Sequence, residues 1–117
     1  MSDDDLRDRI RPYLKDSGHS KDVIEKFLSC CFYKSGESYG DESAFSEMDS
    51  AMKKFEDSVS DKSHKNRLFY FAIPPNVFAD TAVAIKNTAM QDPKLGYTRL
   101  IGKASFCIFS GLLGVRF

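Results

Sequence analysis

The chain has 117 residues, 42% of them hydrophobic, and its 17 Lys+Arg offset 17 Asp+Glu to a formal net charge of +0. That length allows one domain with one core, the apolar content excludes a disordered chain, and neutrality argues against a dedicated nucleic-acid binder. Three cysteines, two of them adjacent, exclude a secreted-type disulfide framework and point to a reducing, cytoplasmic compartment. No apolar run approaches about 18 residues, so no membrane span is expected. The acidic start Met1-Ser2-Asp3-Asp4-Asp5 is unlike the positive n-region of a signal peptide.

Leu6, Ile10, Tyr13 and Leu14 recur at helical spacing behind three aspartates that suit a first turn, and Pro12 is expected to end or kink this helix. After a Gly18-His19 link, Ser20 can cap a second helix with an apolar stripe of Val23, Ile24, Phe27, Leu28 and Cys31. Phe32-Tyr33-Lys34 reads as a brief strand edge, and 36–41 as a loop. Asp41 can cap a third helix over 42–56, with Phe45, Met48, Met52 and Phe55 on one face; 58–65 is polar and loop-like.

The character then changes. Residues 67–73 form a nearly continuous apolar run, which predicts a strand covered on both faces. Pro74-Pro75 stops it. Asn76 is placed to cap a fourth helix carrying Phe78, Ala82, Ile85 and Ala89, Pro93 to Gly96 turns the chain, and 97–101 reads as the next strand. Strand, crossover helix and strand make a right-handed parallel unit. The fold class expected is α/β, an incomplete doubly wound parallel sheet with a helix-rich N-terminal half. Residues 106–117 carry one charge in twelve, too short to span a bilayer, and suit a buried strand, a dimer contact or an exposed apolar end.

Charge is unevenly placed: residues 1–60 hold 14 acidic and 9 basic side chains, and 61–117 hold 3 and 8. A solvated helical front and a more buried strand-bearing back explain this simply; a positive half facing a phosphate is the functional alternative. Most site chemistry is absent. The seven glycines form neither Gly-x-Gly-x-x-Gly nor a P-loop. Adjacent Cys30-Cys31 reads as packing rather than metal ligation, His19 and His64 as surface histidines, and Gly111-Leu112-Leu113-Gly114 as a turn. The pointed feature is strand, Pro74-Pro75, helix. Ligands of open parallel sheets sit outside the carboxyl ends of the strands, and a helix start there can meet a phosphate with its own amides. A rigid corner with Phe78 in the core is the plainer reading.

Arg67-Leu68-Phe69-Tyr70-Phe71-Ala72-Ile73-Pro74-Pro75-Asn76-Val77-Phe78 closely resembles the strand and Pro-Pro turn in the coenzyme domain of glucose-6-phosphate dehydrogenases. The segments 23–36, 45–55 and 96–101 are similar to the family's neighbouring pieces, so the resemblance covers residues 4 to 101. It implies a partial doubly wound (Rossmann-like) NADP-binding domain over 1–101, followed by a divergent apolar tail over 102–117. It also implies oxidation of glucose 6-phosphate at C1 to the lactone with NADP, in the pentose phosphate pathway, by cytosolic or plastidial homo-oligomers. By position, Ile73, Pro74 and Pro75 match backbone near the coenzyme, Phe78 matches an aromatic that contacts it, and Tyr33 a tyrosine on the same side.

The departures matter as much. The family's glycine-rich pyrophosphate turn is missing ahead of residue 1. Where the family reads Val-Glu-Lys-Pro-Phe-Gly, this chain reads Gly102-Lys103-Ala104-Ser105-Phe106-Cys107, with Ala104 at the Lys position. The family's His-Asp base pair has no counterpart. The expectation is therefore a fragment of such a dehydrogenase, not competent for catalysis by itself. The alternative is a small interaction protein that binds a full-length subunit or another partner, with no nucleic acid, membrane or metal involved.

Overall fold

The computed structural model describes residues 1–58 and 65–103. Most of the expected 58–65 loop, His64, and the tail from 104 with its Gly111–Gly114 turn lie outside the described residues. The chain divides into two compact units, Met1–Ser35 and Gly36–Phe117.

The first unit is a pair of helices, α1 (Asp3–Lys15) and α2 (Lys21–Ser29). A reciprocal cap starts α1: the Asp5 amide donates to Ser2 Oγ at 3.2 Å, and the Ser2 amide donates to Asp5 Oδ2 at 2.7 Å. The Ser2 amide, and after it the Ser2 hydroxyl, favours the charged carboxylate and holds Asp5 below its usual range. Contrary to expectation, Pro12 does not end α1, which runs on to Lys15. So near the C-terminus its missing N–H costs one link of the ladder rather than the helix. Ser20 caps α2 as expected, accepting from the Val23 amide. Only Ile24 and Leu28 of the expected stripe are buried; Tyr13, Val23 and Phe27 are exposed.

Arg7 joins the two helices. Its Nε donates to the carbonyls of Leu28 at 3.0 Å and Cys31 at 3.1 Å, which places a cation at the C-terminal end of α2. Its guanidinium also lies over the Phe32 ring, 5.5 Å from the centroid. Arg11 and Glu25 pair across the helices. Phe32-Tyr33-Lys34 is not a strand edge but irregular chain: its hydrogen bonding goes to α1, with the Tyr33 amide donating to Asp3 Oδ1 at 2.6 Å.

In the second unit, α3 (Glu42–Ser58) precedes a parallel pair, β1 (Arg67–Phe71) and β2 (Thr98–Gly102), joined by one 3₁₀ turn (Pro75–Val77) and α4 (Phe78–Thr88). The register runs from Arg67 opposite Thr98 to Phe71 opposite Gly102. Asp41 caps α3: Oδ1 accepts from the Ala44 amide at 3.1 Å and Oδ2 from the Glu37 amide at 2.9 Å. Those bonds, the one from Glu37 first, hold Asp41 below the usual carboxylate range. Phe71, Ile85 and Ala89 make the core, with Phe45, Met52, Phe69, Ile73, Phe78, Ala82 and Leu100 packed around it.

The strand expectation needs correcting. β1 stops at Phe71 rather than residue 73, and among the described residues it is covered on one face only. Arg67 and Phe71 are buried, whereas Leu68 is 60% exposed and Tyr70 59%. Both helices pack on the side carrying residues 67, 69 and 71, so the alternate side chains of a pleated strand point away from them. Gly96 matters by proximity. A Cβ there would stand 2.6 Å from the Lys65 carbonyl oxygen, where the chain entering β2 runs beside the chain entering β1 and the Lys65 amide donates to Leu95 at 2.9 Å.

Arg67 supplies the polar fastening beneath this layer. Its Nε and Nη2 donate to the two oxygens of Glu56 at 2.7 and 2.9 Å, and Nη1 donates to Asp49 Oδ1 at 2.6 Å and the Ala89 carbonyl at 2.8 Å. The guanidinium is thus shared between α3 and the end of α4. Arg67 holds Glu56 below its usual pKa. Burial works against the charge on Asp49, but Lys53 and Arg67 together still hold it low. Glu56 first, then Asp49, keeps Arg67 raised. No buried polar side-chain atom among the described residues lacks a partner.

Candidate functional site

The corner at the carboxyl end of β1 is built by local constraint. Two prolines fix φ and remove two N–H donors, so the strand ladder cannot continue past them. Pro74 is extended at φ −60 and ψ 138. The chain then closes the 3₁₀ turn, the Val77 amide donating to the Pro74 carbonyl at 3.1 Å and the Phe78 amide to Pro75. Thr81, buried, returns its hydroxyl to the Val77 carbonyl at 2.8 Å.

Asn76 does not cap the fourth helix: neither the 3₁₀ turn nor α4 has a side-chain cap. The physical reason is register. The turn occupies 75–77 and α4 begins at Phe78, so Asn76 falls inside the turn instead of one residue before a helix. The turn itself takes up the Val77 and Phe78 amides, and no side chain caps the rest of this helix start, the place where a helix can meet an outside acceptor.

Four of the five expected site residues meet here. Ile73 and Pro75 are half-buried, Pro74 is exposed, and Phe78 is half-buried at the head of α4. Phe78 meets Phe71 edge-on, with centroids 5.5 Å apart and planes at 61°, so part of its ring belongs to the core. Tyr33 belongs to the first unit, where its amide is held by Asp3.

A second feature escaped sequence reasoning. An open cleft of about 450 Å³ lies between the Ser38–Gly40 turn and a face made by Val77 of the 3₁₀ turn with Asp80 and Val83 of α4. Val77 and Asp80 border both the cleft and the helix start, while Ile73, Pro74, Pro75 and Phe78 do not line it. Its signal was the glycine-flanked Tyr39 in the 36–41 loop. Glu42, also on the cleft, accepts from Asn87 Nδ2 at 2.7 Å. Among the described residues, no group of three or more His, Cys, Asp and Glu is arranged to hold a metal ion. Nor is any described helix long and apolar enough to cross a membrane.

Comparison with known proteins places this geometry. The family model described as "Glucose-6-phosphate dehydrogenase, NAD binding domain" matches residues 1–103. The chain is 38% identical over 108 residues to the glucose-6-phosphate 1-dehydrogenase, cytoplasmic isoform, of Solanum tuberosum. It is 37% identical over 110 residues to glucose-6-phosphate 1-dehydrogenase 6, cytoplasmic, of Arabidopsis thaliana. A chloroplastic glucose-6-phosphate 1-dehydrogenase of Solanum tuberosum is 38% identical over 111 residues. Each alignment takes in 91% of this chain but only 21%, 21% and 18% of the relative, so the chain spans about a fifth of the length of the curated relatives it matches.

Proposed function

This chain belongs to the glucose-6-phosphate dehydrogenase family, and from that premise we propose that residues 67–102 supply one wall of an NADP site. In that reading the corner serves oxidation of glucose 6-phosphate to its lactone in the pentose phosphate pathway. One observation carries it: two prolines set a helix start with no side-chain cap at the carboxyl ends of two parallel strands. That is where open parallel sheets receive ligands. Ile73, Pro74 and Pro75 offer backbone, Phe78 the outer side of its ring, and Tyr33 is assigned to the same site by resemblance alone.

These 117 residues do not turn over by themselves in this reading. Hydride transfer requires both reactants held in register and a base for the departing hydroxyl proton. His19 lies exposed in the link between α1 and α2, and no glycine-rich pyrophosphate turn occurs in the sequence. The reaction then belongs to a larger assembly, cytoplasmic as in the first two relatives above, with self-association or pairing with a full-length subunit as its route.

The test is amide-resolved NMR of the chain titrated with millimolar NADP, alongside an absorbance assay for NADPH with glucose 6-phosphate. Expected are shifts centred on Ile73, Asn76, Val77 and Phe78, with no NADPH formed. Corner amides that stay still at millimolar NADP overturn the coenzyme wall; NADPH production overturns the claim of incompetence. The exposed side of the sheet favours a second reading, a non-catalytic interaction protein. Leu68, Tyr70 and Ile101 form an apolar surface there of the kind that partners cover. A monodisperse chain that ignores NADP and binds a full-length dehydrogenase subunit would select it.

A further inference from the structure

The end of β2 is closed by an aromatic ring. Gly102 is the last residue of that strand, and a Cβ built on it would stand 2.6 Å from Cε2 and 3.1 Å from Cζ of Phe78. Carbon atoms attract at about 3.5–4.0 Å, so the first of these distances is a collision. The ring also meets Phe71, the residue paired with Gly102 across the two strands, edge-on at 5.5 Å, and Phe71 is buried in the core. Phe78 therefore rests beside a fixed core ring and over a position with no side chain. Backbone freedom is not what glycine provides here: the only positive-φ glycine among the described residues is Gly18. Space is what it provides.

The geometry points to Gly102 as a positioning residue for the coenzyme corner, acting through Phe78. Phe78 is the first residue of α4 and directly follows the 3₁₀ turn, so the depth of its ring seat sets where the turn and the helix start stand over the strand ends. Without a Cβ at 102 the ring rests over β2, and its outer side is where the planar ring of a nucleotide would meet it. A methyl group at 102 lifts the ring toward that ligand. Gly102 offers a ligand nothing of its own. The inference rests on the coenzyme reading given above, and its ligand-free arm is independent of it.

Three variants test it: Gly102→Ala, Phe78→Leu and the two combined. Without ligand, the Gly102 α-protons of the wild type should carry a ring-current shift from Phe78, and nuclear Overhauser contacts should join Phe78 to Phe71. Gly102→Ala is expected to break those contacts and move the Asn76 and Val77 amides. The double variant is expected to return these amides to where Phe78→Leu alone leaves them. Phe78–Phe71 contacts that persist unchanged in Gly102→Ala overturn the inference. With millimolar NADP, the affinity read at the corner amides should weaken roughly tenfold in Gly102→Ala, as overpacking by one carbon does. It should largely recover in the double variant. Equal affinity with the ring displaced overturns the positioning role. A wild type whose corner amides ignore NADP overturns the coenzyme reading instead, and the ring contacts then decide the positioning alone. If Gly102→Ala does not fold, a folded double variant supports the inference, and an unfolded one overturns it.

Discussion

Arg67→Met removes the charged fastening under the sheet while keeping most of the aliphatic stem. The Arg67 side chain is 3% exposed and makes four hydrogen bonds, to both oxygens of Glu56, to Asp49 and to the Ala89 carbonyl. Without it, Asp49 keeps Lys53 at 2.7 Å, but Glu56 keeps only the long 3.3 Å bond from Gln91, and the Ala89 carbonyl loses the guanidinium. Removing one partner of a buried ion pair costs about 3–5 kcal/mol, because the charges left behind have no compensation. Small domains hold only about 0.05–0.15 kcal/mol per residue, so the second unit should stand at the edge of unfolding. Peptide-resolved hydrogen exchange separates this unit from the helix pair, which should be unaffected. The triple replacement Arg67→Met, Asp49→Leu, Glu56→Leu should recover most of the loss, since no buried charge is then stranded. A loss below about 1 kcal/mol, the worth of a surface pair, would refute the argument that the cluster is buried and mutually dependent.

The same cluster sets an acid limit. Asp49 and Glu56 are held below their usual 3.8 and 4.5, so the unfolded chain binds more protons in that window. Their contribution is full above about 4.5 and falls as pH drops through the lower folded values, which a series of urea midpoints between about pH 6 and pH 2 would show. Arg67 is raised above its already high ordinary value, chiefly by Glu56, so its share is present throughout this range and plays no part in the acid limb; midpoints flat to the lowest pH would contradict the carboxylates' role. Gly96→Ala drives a Cβ to 2.6 Å from a backbone oxygen that cannot swing aside, and a loss of about 1–3 kcal/mol is expected in a thermal melt. An unchanged midpoint would mean that the two strand entries are not in close contact. Asp41→Ala removes the acceptor of the Ala44 and Glu37 amides and should speed exchange at both. Asp41→Asn, which keeps an acceptor oxygen, should do so less, and equal exchange in all three proteins would remove Asp41 from its role as cap.

Sequence alone located the helices and both strands, because their signals are local: apolar periodicity, Ser20 and Asp41 ahead of helices, two consecutive prolines. It failed where the answer depended on distant chain. Tyr13, Val23 and Phe27 satisfy the helical period and yet face water, since period gives a stripe but not its width. Asn76 looked like a cap because nothing in the residue types announces that a 3₁₀ turn will intervene. The Arg67 cluster joins residues 11 and 18 positions apart, a pairing that no local pattern encodes. Of the site, the Pro74-Pro75 corner was legible because proline geometry is covalent. The Tyr39 cleft was not, because its walls come from a loop and a helix that only folding brings together.

The misread strand is itself informative. A strand shaped for one covered face alternates apolar and polar residues, as antiparallel sheets with a wet side do. β1 does not: Leu68 and Tyr70 carry large apolar surface, as do their inward neighbours, half-buried Phe69 and buried Phe71, and Ile101 adds to it opposite Tyr70, with Arg99 beside it opposite Leu68. Such a composition suits a parallel sheet with a layer on each side, while the described residues of this unit place helices on one side only. In the fragment reading proposed above, the apolar run belongs to a larger layered sheet to which these two strands contribute a part. That agrees with a chain spanning about a fifth of its relatives' length, and it weighs against a free-standing nucleotide module, which would have little reason to leave Leu68 and Tyr70 in water. The corner, by contrast, depends on nothing beyond this unit. Phe71, Phe78, Gly102 and the 3₁₀ turn hold one another, and the Arg67 fastening lies on the same face at the far end of the same strand. The proposed ligand wall can therefore keep its shape through contacts made within the described residues of this unit.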